Sequence, residues 1–265
     1  MTAGGDLDTL RNALVLALDA NIGVPSDPDE RVLDAEALAA KCLFHASSCR
    51  LLGGGTIVAN GRTRVLDIAS LNVLVRATLE SSLVFHHLFV SPQDAVQAEL
   101  RSLSWALADL LERQGFTASL PESQEIQRQE REQIEAISNR LEANTHFQGL
   151  TQKQQRRVLE DGYWSPGWAP IAHDAGLSDL HATQVHRYLS SYAHSGSLSV
   201  LQLRQAKNSE DRRRFLDSAF RLANIGLAVM IKGYCSFFPK AGQALQQHPL
   251  FTAKVDEWIH LAKEA

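Results

Sequence analysis

Apolar residues recur three and four positions apart through most of this chain, and two-residue alternation is nowhere sustained. That spacing predicts amphipathic helices rather than strands. A first helix is expected over Asp6–Ala20, stopping at Asn21-Ile22-Gly23. The linker VPSDPDE follows, then a helix from about Pro28 to Leu52 closed by Gly53-Gly54-Gly55. The run GGGTIVANGRTR lacks the Gly-Lys-Ser/Thr ending of a phosphate loop and reads as a hinge or loop. Arg64–Val90 has no proline or glycine and is apolar around most of its wheel, so it is expected to be buried. At about 100° per residue, Asn72, Arg76, Glu80 and His87 share one narrow stripe of it. Buried charges need partners, which poses the question of what faces Arg76 and Glu80.

Further helices are expected over about 93–114 and 122–144. The second is highly charged with a thin apolar seam at Ile126, Ile134, Ile137 and Leu141, as on a surface helix or half of a helical hairpin. Residues 147–179, with Trp164, Pro166, Trp168 and Pro170, read as short helices and a packed loop. Residues 181–196 are helical again, and an irregular stretch follows. A long helix, capped by Ser209 with Glu210 and Asp211, runs towards Phe238-Pro239, and a last helix covers about 251–263. The fold class is all-α, an irregular multi-helix bundle. It is read as one domain over 1–265: an N-terminal helix and linker (1–27), a core bundle (28–240) and a C-terminal helix (241–265).

The net charge of −4 gives no global field towards nucleic acid or anionic membrane, so any anion site must be local. Arginine supplies 19 of the 26 basic residues, which suits bidentate pairing and also follows from a GC-rich genome. Cys42, Cys49 and Cys235 are odd in number and lack CxxC spacing. Cys42 and Cys49, on one helical face, read as small core residues. The N-terminal segment has acids where a signal peptide has bases, and the run Leu222–Ile231 is too short for a bilayer. A soluble cytoplasmic protein with no membrane partner is expected.

The segment 181–196 carries the most suggestive set. With Val185 at zero on the wheel, Tyr188, Leu189 and Tyr192 cluster beside it, while His186, Arg187, Ser190, Ser191 and His194 take the opposite face. A cation, hydroxyls and an imidazole on one face suit a phosphate and proton transfer near neutral pH, or simply make a solvated face. Arg140 and His146, six apart where Arg187 and His194 are seven, form a second arginine-to-histidine pair without an intervening serine. Arg212, Arg213 and Arg214 oppose the macrodipole at a helix start and form an anion-binding candidate, with Glu210 and Asp211 as the local alternative. Adjacent His86-His87 and the spacing of His181, His186 and His194 suit no metal, and no nucleotide or zinc motif occurs. Neither metal nor cofactor is expected.

Arg76-x-x-x-Glu80 early and Tyr188-Leu189-Ser190 through His194 late resemble, in order and layout over residues 30–240, a widespread bacterial all-helical family of unknown function. That family is similar in turn to HEPN domains. The resemblance implies a HEPN-like core and metal-independent RNA cleavage of the defence or stress type at a dimer interface. It casts Arg187 as holder of the scissile phosphate and His194 in proton transfer, with Arg76, Glu80, Ser190, Ser191 and Tyr188 as supporting groups. Tyr188 follows Arg187 where the HEPN motif has a small polar residue. Partners implied are RNA or a nucleotide, and a second copy of the chain. Two other readings stay open. Arg76, Glu80, Ser190 and His194 could form a structural polar network in a non-catalytic module that binds a protein or oligomerises. A small-molecule pocket could lie near Trp164, Trp168 and His173.

Overall fold

A computed structural model describes residues 2–22, 30–58, 61 and 63–264. The chain is all-α apart from one small hairpin. Two compact units emerge, Met1–Val90 with Trp168–Ala265, and Ser91–Gly167.

The first unit is built on α1 (Ala3–Asp19), α2 (Glu30–Gly53), α3 (Ile68–Phe85) and α11 (Ser209–Phe237). The helix expected from Arg64 begins at Ile68, because the Asp67 side chain caps the Ser70 N–H. Arg64 and Val65 belong instead to a hairpin of β1 (Thr56–Val58) and β2 (Thr63–Val65). Its β-branched strands flank Asn60-Gly61, a turn dipeptide that predicts a hairpin, and Gly61 has φ +69°. The hinge-or-loop reading of that run is thereby corrected. The linker 24–30 lies, but for the first helical residue, outside the described residues, as does Pro28.

α2 faces α3 with small residues. Ala35, Ala39, Cys42, Ala46 and Cys49, at alternating four- and three-residue steps, are fully buried. The thiols sit at 3.6 Å from the Thr78 carbonyl and 4.0 Å from that of Leu71, so the two backbones come close. Burial raises both thiols' pKa values, that of Cys49 to about 12, which keeps them protonated core residues as expected. On the other side, α11 crosses α3 at Gly226, where an added Cβ would lie 3.3 Å from the Leu79 Cα and backbone N. Gly226→Val is expected to cost about 1–3 kcal/mol through overpacking, read as a lower thermal midpoint. An unchanged midpoint would mean that the crossing has slack.

α3 passes without a break into a π-helical turn, His86–Val90. Ile68–Val90 is long and apolar enough to cross a membrane, yet 61% of its apolar 18-residue window is buried within the protein. α8 (Trp168–Asp174), a second π turn at Leu180–Val185, α9 (His186–Ala193) and α10 (Ser197–Gln205) follow the second unit in sequence. The stretch read as irregular after residue 196 is therefore largely helical. α11 is capped by the Asn208 side chain on the Asp211 N–H, not by Ser209, and α12 (Pro239–Gln246) and α13 (Pro249–Glu264) complete the unit.

In the second unit, α4 (Ala95–Gln114) and α5 (Pro121–Ala143) form a hairpin, joined by α6 (Thr145–Gln148) and α7 (Gln152–Asp161). Contacts of Gln114 with Glu130, Glu99 with Arg140 and Val96 with Asn144 run in opposite order along the two helices, so they are antiparallel. Leu103, Leu107, Leu141, Phe147 and Val158 make the core, with Ile134 and Ile137 of the predicted seam packed against it.

Candidate active site

The stripe on α3 divides. Asn72 donates to the Ile68 carbonyl of its own helix at 2.9 Å and takes no part in the site. His87 lies beyond the start of the π turn, where the 100° step no longer holds, and is buried. Arg76 and Glu80 remain, one helical turn apart, with Arg76 Nε donating to Glu80 Oε1 at 2.7 Å.

Two histidines of α9 meet this pair. His186 Nε2 lies 3.2 Å from Glu80 Oε1, and His194 Nε2 lies 3.3 Å from Arg76 Nη1. A carboxylate only accepts, so His186 donates from Nε2. A guanidinium only donates, so His194 Nε2 accepts and its proton sits on Nδ1. Trp168 stacks on the His186 ring at 5.3 Å and 27°. The Arg76, Glu80 and His186 side chains are 18%, 25% and 20% exposed, and His194 is exposed. The set is thus neither sealed in the core nor free in solvent.

The local fold explains the convergence. His186, Ser190 and His194 follow one another at four-residue steps along the face of α9 that meets α3. α9 ends at Ala193 with His194 as its cap, Ser195 is left-handed at φ 52°, and the Gly196 N–H turns back to the Ser191 carbonyl at 2.7 Å. That leaves His194 on the helix end. A non-glycine residue there costs roughly 1 kcal/mol.

Other expected site residues stand elsewhere. Arg187 is exposed and makes no hydrogen bond or ion pair with a described residue. The Ser190 hydroxyl donates to the His186 carbonyl and that of Ser191 to the Tyr188 carbonyl, both at 2.8 Å, so their protons serve the helix rather than a ligand. Tyr188 packs edge-on against Tyr192 in a small cluster with Ile68 and Ala206. Arg140 and His146 pair separately with Glu99 and Asp94. Trp164 falls in the second unit, while Trp168 and His173 are in the first. The sequence placed His186 on the face of His194 without giving it a role, and did not assign Trp168 to this site. The four-residue steps linking His186 to His194 were the available signal.

Burial alone would raise the Glu80 pKa, but hydrogen bonds from His186 and Arg76 more than offset it and hold the carboxyl below its ordinary value. A depressed carboxyl pKa contributes stability above the unfolded value, and that contribution is lost as pH falls through the lowered folded value. Glu80→Gln is therefore expected to destabilise by about 1.5–3 kcal/mol at neutral pH. The gap to the wild type should close as pH drops below the ordinary carboxylate range. A gap independent of pH in denaturant titrations would contradict this.

No protein-family model, curated protein or solved structure matches the chain. Among the described residues, no group of three or more His, Cys, Asp or Glu side chains is placed to hold a metal.

Proposed function

We propose that the first unit cleaves RNA without needing a metal, through attack of a ribose 2′-hydroxyl on the adjacent phosphate. The observation that carries this is that each end of the Arg76–Glu80 pair is met by a histidine from α9. Two imidazoles and a guanidinium supply all that such a transfer needs, a base, an acid and an anion clamp. Arg76 takes the phosphate, which frees the His194 Nε2 lone pair. His194 then removes the 2′-hydroxyl proton as the 2′-oxygen bonds to phosphorus. The bond to the 5′-oxygen breaks as the leaving oxygen takes the Nδ1 proton of His186, which acts from its doubly protonated form and keeps its Nε2–H on ionised Glu80. The products are a cyclic phosphate and a 5′-hydroxyl. Exposed Arg187 is assigned to binding the strand beside the site, a change from the scissile-phosphate role that the HEPN resemblance gives it.

The test is incubation of the purified protein with single-stranded RNA in excess chelator, with analysis of the termini, set against His194→Ala. Intact RNA under all conditions would overturn the reading. A second reading, a structural polar network in a non-catalytic helical module that binds a protein or pairs with a second copy, is favoured by the serine hydroxyls being turned to their own helix. On that reading RNA is never cleaved, while Glu80→Gln still lowers stability.

A further inference from the structure

A cavity of about 450 Å³ at the start of α11 is lined by four cations, Arg64, Lys207, Arg212 and Arg213, and by one carboxylate, Glu210. They come from three separate segments: β2, the turn between α10 and α11, and α11 itself. Arg64 Nη1 donates to the Gly54 carbonyl at 2.9 Å and Arg212 Nε to the Ala206 carbonyl at 3.2 Å. Those backbone bonds aim the guanidiniums without neutralising them. Among the described residues, no carboxylate forms an ion pair with any of the four. Glu210 itself is engaged by Arg214 at 2.6 Å, and Arg214 does not line the cavity. Four cations against one carboxylate give a formal local charge of +3 in a chain of net −4. Arg212 and Arg213 also sit where the helix macrodipole disfavours cations. The cations repel one another in this placement, and an anionic ligand would relieve that repulsion.

We propose that the cavity binds a chain of adjacent phosphates, the triphosphate of a nucleotide. A single phosphate is satisfied by one or two arginines. Cations on three segments around a concave site suit a ligand with several linked charges instead. The volume falls within the range of small-ligand pockets, roughly 300–1,000 Å³. A free nucleoside triphosphate and the 5′-triphosphate end of an RNA present the same group. The inference stands apart from cleavage at Glu80 and is tested by binding alone.

The experiment is calorimetric titration of the full chain with inorganic tripolyphosphate, ATP, and one RNA bearing either a 5′-triphosphate or a 5′-hydroxyl. The RNA arms use the His194→Ala chain, so that cleavage and binding are read separately. Tripolyphosphate and ATP are expected to bind, and Arg212→Glu with Arg213→Glu to weaken both by about tenfold or more. Arg221→Glu, at an exposed position farther along α11, carries the same charge change per site and should leave binding unaltered. Lys207→Ala, in an exposed turn, gives a milder weakening and guards against misfolding of the double variant. Tighter binding of triphosphorylated RNA than of ATP assigns the RNA end as the source, and equal binding assigns the free nucleotide. No binding of tripolyphosphate, or equal weakening by Arg221→Glu, overturns the proposal.

Discussion

Replacing His194 with alanine is expected to slow RNA cleavage by about 10²–10⁴-fold, the usual contribution of a positioned general base, while leaving the thermal midpoint nearly unchanged. The two halves of that expectation have separate causes. His194 is exposed, and its one side-chain contact with the network is the bond accepted from Arg76 Nη1. Surface substitutions of this kind stay within about 0.5 kcal/mol. Arg76→Ala or Glu80→Ala would be less informative, since each removes a half-buried charge and so lowers stability together with activity. His194→Ala separates the two readings of the network. A variant that cleaves at the wild-type rate would leave Arg76, Glu80 and His186 as structure alone.

The largest stability effect is expected away from the site, at Lys254. Its Nζ lies 3.1 Å from Asp6 Oδ1 and 2.5 Å from Glu257 Oε2, which ties α13 to α1. Lys254 and Asp6 are each only 6% exposed. Burial would lower the lysine pKa, but its bonds to Glu257 and Asp6 outweigh burial and raise it, so the ammonium is held charged. Lys254→Met would strand the Asp6 carboxylate in the interior at a cost of about 3–5 kcal/mol. For a chain of this size that corresponds to a fall of roughly 10 °C in the midpoint of the first unit's transition. Adding Asp6→Leu should restore most of it, since two apolar groups remove both charges from the interior. If the double variant were as unstable as the single one, packing rather than charge would explain the loss.

The fold class was legible because the three- and four-residue spacing is strong in α3, α4 and α11, and glycine or proline falls near most helix ends. The hairpin was signalled only by Asn60-Gly61, because three-residue strands are too short for alternation to show. α10 was not legible, since its Leu198, Val200, Leu201 and Leu203 are exposed and their pattern marks no buried face. Half of the site was legible: the charges of Arg76 and Glu80 on an apolar helix demanded partners, and His194 stood at a suggestive place. That His186 joins them depends on how α9 is rotated about its axis, which a wheel drawn on one segment cannot supply. Arg187, one position from His186, stands on a neighbouring line of the same helix.

That rotation has a local cause. The turn at Leu180–Val185 holds its bonds one residue farther along than an α-helix does, so the residues after it are turned by about one residue's step, roughly 100°. The widened turn works as a phase adjuster. Within it His181 meets Ser178, and downstream His186 and His194 meet Glu80 and Arg76. In a plain α-helix the same letters would carry those imidazoles to a different side of the helix axis. The sequence of α9 therefore supplies the reactive groups, while a short stretch with no reactive role sets the direction in which they look.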